Sequence, residues 1–107
     1  MREEDIIEFA ILEWLNVQGH FSFKIPDQRQ NIDGVYRKHP WQPRGIPDIC
    51  CIWKHKTLFF EVKTDKGRLS KYQKIIHGKM NDVYVVRSIA EVEHLLSILD
   101  QVHYPKF

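Results

Sequence analysis

Two β-rich runs, Asp48 to Trp53 and Thr57 to Lys63, are separated by only Lys54-His55-Lys56. Aromatic and β-branched runs spaced this closely read as a hairpin. Side chains alternate between the two faces of a strand, and residues directly opposite each other on antiparallel strands share a face. A two-residue turn at His55-Lys56 pairs Lys54 with Thr57 and Asp48 with Lys63, so Asp48, Glu61 and Lys63 project from one side of the sheet. In that register Asp48 and Glu61 are diagonal neighbours, roughly 7–8 Å apart at the backbone. A three-residue turn would send Glu61 to the other face, because a one-residue slip inverts every side chain.

The rest of the chain supplies elements to pack on this hairpin. From Glu4 to Val17, Ile7, Ile11, Trp14 and Leu15 recur at helical spacings. At ~100° per residue, Glu8 falls between Leu12 and Leu15, at the edge of the apolar stripe. Gly19 ends the helix. His20 to Ile25 alternates, with Phe21, Phe23 and Ile25 on one face, and predicts a half-buried strand whose phenylalanines join Trp14 in the core.

Pro26 to Pro47 has no period and is broken by Gly34, Pro40, Pro43 and Gly45, which predicts a long loop. Structureless loops of about 20 residues are uncommon in compact domains and are usually functional or disordered. Ser70-x-x-Gln73 and Ser88-x-x-Glu91 are capping boxes that open two helices, the second burying Val92, Leu95, Leu96 and Leu99. Between them Val83-Tyr84-Val85-Val86 suits a strand in a sheet interior. The expected order is α-β-β-β-α-β-α: one α/β domain over residues 1–107, with a central mixed sheet of about four strands flanked by helices.

Composition narrows the function classes. A net charge of +2 announces no nucleic-acid partner by itself, so any field that attracts DNA must be local. The start, Met1-Arg2-Glu3-Glu4-Asp5, is acidic where a signal peptide is basic and then apolar. No apolar run approaches the roughly 20 residues that span a bilayer. These features predict an intracellular, cytoplasmic chain with no membrane partner. Cys50 and Cys51 are adjacent, point to opposite faces of a strand and predict no disulfide; neither they nor the six histidines show a zinc-ligand spacing.

Two carboxylates converging on one face repel unless a cation lies between them, and Mg²⁺ or Mn²⁺ with oxygen ligands is the natural occupant. Lys63, two residues beyond Glu61, delivers an ammonium to the same place, where it can orient a water or offset charge on a phosphate. Gln73, about a turn into its helix, can contact that water or the nucleic-acid backbone. Arg29, Arg37, Lys38 and Arg44 in the proline-broken segment suit phosphate contacts, and Trp41 a stacking role. His39 and His77 read as surface histidines.

The ordered set Arg44-Gly45-Ile46-Pro47-Asp48, Phe60-Glu61-Val62-Lys63, Leu69-Ser70-x-x-Gln73 and Val85-Val86-Arg87-Ser88 resembles a stand-alone VRR-NUC domain of the PD-(D/E)XK nuclease superfamily. It is also similar to Holliday-junction resolvases. The resemblance runs over nearly the whole chain and implies a restriction-endonuclease-like fold. It implies a Mg²⁺- or Mn²⁺-dependent endonuclease acting on DNA, with a role in DNA repair. The metal ligands it implies are Asp48, Glu61, the backbone carbonyl of Val62 and an acid on the first helix. Glu8 fits that last position best, with Glu4 one turn earlier as its competitor. Lys63 is then the catalytic lysine, and Gln73 the glutamine that follows the catalytic strand. The resemblance further implies a homodimer acting on branched DNA such as a four-way junction. The competing expectation is a non-catalytic nucleic-acid-binding or accessory module that kept the fold.

Overall fold

The structure, a computed structural model, describes residues 2–26, 30–32, 35–37 and 42–103. Along them the chain runs α1 (Glu3–Val17), β1 (Ser22–Lys24), β2 (Gln30–Ile32), β3 (Val35–Arg37), β4 (Ile49–Trp53), β5 (Lys56–Val62), α2 (Lys71–His77), β6 (Val83–Val86) and α3 (Ile89–His103). Four strands form one mixed sheet in the order β1-β4-β5-β6. Its pairs are antiparallel except β5 with β6, which run parallel through the α2 crossover. The fold is thus α/β, a four-stranded mixed sheet with three helices, in the expected order of elements.

One element was not expected. Within the segment read as a structureless loop, β2 and β3 pair as a separate antiparallel ribbon, Gln30 opposite Arg37 and Ile32 opposite Val35. The Asp33-Gly34 dipeptide between those strands is a hairpin signal that the density of prolines nearby had masked.

The core lies on one face of the sheet. Ile49, Cys51 and Trp53 of β4 and Leu58, Phe60 and Val62 of β5 alternate onto that face, where they meet Ile11 and Leu15 of α1 and Val92, Leu96 and Leu99 of α3. Phe60, Leu58, Ile11 and Leu15 are fully enclosed, and each such side chain contributes about 1.5–3 kcal/mol relative to exposure. The other face carries Cys50, Ile52, Phe59, Glu61 and Lys63. Cys50 and Cys51 are buried free thiols, as their opposite orientations required.

Two expectations about the sheet are corrected. Phe21 and Phe23 are not core residues: they are 63% and 46% exposed and stack edge-to-face on each other, with centroids 5.7 Å apart. Parity explains it. Ser22 lies opposite Cys51, so Ser22 takes the core face and the phenylalanines turn away. That parity is fixed by Asn16 at the end of α1, whose Oδ1 accepts from the Ser22 N–H (3.0 Å) and whose Nδ2 donates to the Ser22 carbonyl (3.0 Å) and the Leu12 carbonyl (2.9 Å). Val83–Val86, read as an interior strand, lies at the sheet edge instead, with Val85 exposed. Its apolar character serves the single face that packs on α3, through Val86.

Helix boundaries follow the caps. Gly19 takes φ +89° just beyond α1. At α2 the Ser70 Oγ accepts from the Gln73 N–H (3.1 Å) while the Gln73 Oε1 accepts from the Ser70 N–H (2.8 Å), a reciprocal box. At α3 the Ser88 Oγ accepts from Glu91 N–H (3.1 Å), but Glu91 reaches one residue further back, to the Arg87 N–H (3.1 Å). No helix among the described residues is long and apolar enough to cross a membrane.

Because Asn16 satisfies both backbone groups of Ser22 beneath the helix, Asn16→Ala should destabilise the fold by about 1–3 kcal/mol, the cost of leaving partly buried groups unpaired. Urea unfolding measures this; an unchanged midpoint would show that β1 is held by other contacts.

Candidate metal-binding and active site

The hairpin turn is Lys54-His55, one residue earlier than predicted, with Trp53 opposite Lys56 and Ile49 opposite Phe60. Lys54 takes φ +54° to make the turn. The loop still has two residues, so the parity survives and Asp48, Glu61 and Lys63 stay on one side of the sheet. What changes is the pairing: continuing the register sets Asp48 across from Glu61 rather than from Lys63.

Asp48 is the point where three strands meet. Its N–H donates to the Phe60 carbonyl (3.1 Å), its carbonyl accepts from the Ile25 N–H (2.7 Å), and its Oδ2 accepts from the Val62 N–H (2.8 Å). The last bond replaces a backbone acceptor that β4 no longer supplies, because the chain has turned away at the buried Pro47. A side chain caps the ladder, and that fixes the carboxylate beside β5.

Glu61 is 1% exposed and Lys63 is 9% exposed. The Glu61 carboxyl is pushed up from 4.5 to about 9, chiefly by burial and then by Asp48, through hydrogen bonding and charge; Lys63 opposes the shift and Glu4 adds to it. Two acids on neighbouring strands therefore converge closely enough that one of them holds its proton at neutral pH. Asp48 and Glu61 meet as expected, and the Lys63 charge reaches Glu61.

Glu8 is the buried acid of α1, and its carboxyl is raised mainly by burial, with the Asp48 charge adding to the effect. It is held by Lys24, whose Nζ lies 2.6 Å from Glu8 Oε1. Burial works against the Lys24 charge, but the hydrogen bond to Glu8 and the charges of Glu8, Asp48 and Asp5 together raise its pKa. Lys24 was not anticipated as a site residue. Glu4 is partly exposed, and its charge also reaches Glu61.

His77 is the second residue that the sequence did not assign to the site. Rather than a surface position, it occupies one where the side chain is 11% exposed, with Nε2 3.1 Å from Glu61 Oε1. Burial pulls the imidazole pKa down, Asp48 raises it and Lys63 lowers it, so the contact is a hydrogen bond of a neutral ring. The signal was its place four residues after Gln73, one turn along the same helix face.

Asp48 opens onto a cleft of roughly 680 Å³ lined also by Arg2, Lys24, Arg44, Ser70 and Gln73. Glu61 and Lys63 do not line it. Gln73 joins the cleft wall, with its side-chain oxygen committed to the Ser70 cap. The Arg44 guanidinium lies 4.6 Å from the Tyr72 ring centroid. Gly45, at φ +98°, permits this approach: a Cβ there would sit 2.6 Å from the Tyr72 carbonyl carbon and oxygen. Of the other residues read as DNA contacts, Arg37 ends β3, while Arg29 and Lys38, like Trp41 and His39, lie outside the described residues.

The donor set suits a hard divalent ion. It offers carboxylate oxygens in a poorly solvated place, where burial and Asp48 raise the Glu61 carboxyl, and Mg²⁺ needs only one or two carboxylates because water completes its shell. Among the described residues no group of three or more His, Cys, Asp or Glu is arranged around one point to hold a metal. The chain matches no family model, no curated protein and no solved structure.

The raised carboxyl has a consequence for stability. A group whose folded pKa exceeds its unfolded value contributes stability that is fully present below 4.5 and is lost as pH rises toward 9. With divalent ions chelated, Glu61→Gln should therefore be more stable than the wild type at pH 8, and the difference should vanish near pH 4. Thermal melts at the two pH values test this; equal melting temperatures at pH 8 would show that Glu61 is not held in a site hostile to the ionised carboxylate.

Proposed function

We propose that this chain is a metal-dependent DNA endonuclease of the VRR-NUC type, with the restriction-endonuclease-like fold of the PD-(D/E)XK superfamily. One observation carries the reading: Asp48 and Glu61, from adjacent antiparallel strands, converge in a buried place with Lys63 next on the same strand face, beside a cleft edged by cations. The sheet order supports it, since the Glu-x-Lys strand is central and the strand after the crossover helix runs parallel to it.

The residues that would hold Mg²⁺ or Mn²⁺ are Asp48 and Glu61, with the Val62 carbonyl and, through water, Glu8. A divalent ion bound there supplies charge neutralisation for a phosphate and a lowered pKa for an attacking water. Arg44, fixed on Tyr72, and Lys24 draw the DNA backbone into the cleft by charge. Asp48 is the acid a phosphate meets first, because it lines the cleft and Glu61 does not. Lys63 brings fixed positive charge to the reacting phosphate without the cost of reorganising solvent. Gln73 offers its amide to the phosphate backbone or to water at the cleft wall.

Lys24 also has a restraining role. By pairing with Glu8 it offsets the third carboxylate of the region, which would otherwise add to the repulsion at Asp48. The chain is proposed to act as a homodimer in the cytoplasm on branched DNA such as a four-way junction, in repair, because a two-fold pair of sites matches a two-fold substrate.

The test is cleavage of linear, flap and four-way-junction DNA with Mg²⁺, Mn²⁺ or EDTA. The wild type should cut the junction best, EDTA should abolish cutting, and Asp48→Ala and Lys63→Ala should each slow it by about a hundredfold or more. Cutting that survives chelation, or an Asp48→Ala variant as active as the wild type, would refute the proposal.

A further inference from the structure

We infer that His77 is a positioning residue that engages one oxygen of Glu61, presents the other singly to the ion, and so favours Mn²⁺ or Mg²⁺ over Ca²⁺ at this site. The inference rests on the metal-dependent reading above. His77 Nε2 lies 3.1 Å from Glu61 Oε1, and both side chains are enclosed, 11% and 1% exposed. That contact occupies the Nε2 of His77, so through that nitrogen His77 is placed to orient a ligand and not to act as one.

The helix that carries His77 is held at both ends of its path. The reciprocal Ser70–Gln73 cap fixes its start. Gly45 packs against the backbone of Tyr72 and Gln73 closely enough that no side chain fits between. Gly78 closes the helix one residue beyond His77, its N–H reaching the Lys74 carbonyl at 3.1 Å. An imidazole carried on so short and clamped a helix has little freedom to leave Glu61.

The chemistry follows from what a carboxylate can do. Ionised, Glu61 only accepts, so Nε2 carries the hydrogen and donates it. The engaged oxygen is then withdrawn from a cation, and the carboxylate can offer one oxygen. Ca²⁺ takes six to eight oxygens and often binds a carboxylate through both, whereas Mg²⁺ demands octahedral geometry and is content with one oxygen per carboxylate. Mn²⁺ shares the octahedral preference. Partners that orient a ligand in this way typically contribute about 10–100-fold to metal affinity.

Calorimetric titration of the metal-stripped full chain with Mn²⁺ and with Ca²⁺ tests the inference, using the wild type, His77→Leu and His77→Gln. Leucine fills the space without a donor, and glutamine restores an N–H near the position of Nε2. His77→Leu should bind Mn²⁺ about 10–100-fold more weakly and lose less affinity for Ca²⁺, so that the Mn²⁺/Ca²⁺ preference narrows, while His77→Gln should recover most of both. Wild-type affinity and preference in His77→Leu would overturn the assignment. So would an equal loss for both ions that glutamine does not restore, which is the mark of a merely structural residue. A wild type that binds neither ion would overturn the nuclease reading together with this one, whereas wild-type binding with an indifferent His77→Leu would overturn the role of His77 alone.

Discussion

Two carboxyl groups held together at the end of a hairpin dominate the electrostatics of this chain. Asp48 is fixed because its side chain caps the β5 ladder at Val62, and Glu61 is fixed because it lies in the buried C-terminal half of β5, a strand paired on both sides. Neither can retreat to solvent without breaking the sheet. Burial and mutual repulsion then act in the same direction, and Lys63 offsets only part of the result. In water such a pair would cost little. In a place with so little solvent it is a standing destabilisation unless a cation or a proton relieves it.

The remaining architecture explains how a domain of this size tolerates that strain. Apart from Cys50, the enclosed apolar side chains of β4 and β5 face α1 and α3, so the core is built almost entirely on one face of the sheet. On the opposite face, α2 reaches Glu61 through His77, and the Arg44–Gly45 turn packs on α2 at Tyr72 and Gln73. The charges around the pair are themselves partnered: Glu8 with Lys24, Glu61 with His77, and Arg44 on the Tyr72 ring. The cleft thereby combines the cations Arg2, Lys24 and Arg44 with the carboxylate of Asp48, the charge pattern on which the proposed attraction of a phosphate rests.

Much of this could be read from residue order, for identifiable reasons. The periodicity of Ile7, Ile11 and Leu15, the serine caps at Ser70 and Ser88 and the alternation of β5 are local patterns, and each produced its element. The shared face of Asp48, Glu61 and Lys63 depended only on the parity of the turn, so it survived a one-residue error in where the turn falls. What escaped prediction depends on how separate elements pack, or lay in a segment whose composition hid its pattern. Phe21 and Phe23 alternate as a buried strand would, yet Asn16 decides which face of that strand goes inward. His77 and Lys24 become site residues only once α2 and β1 are packed beside the hairpin. The β2–β3 ribbon was hidden by composition, since prolines and glycines around it resemble a loop.

Diffraction tests the proposed divalent cation between Asp48 and Glu61 without reference to any activity. Crystals grown with Mn²⁺ should show an anomalous peak within about 2.3 Å of a carboxylate oxygen from each residue, with the Asp48 and Glu61 side chains otherwise close to the positions described. Clear density for both carboxyls in direct contact with each other, and no anomalous signal there at millimolar Mn²⁺, would contradict the account.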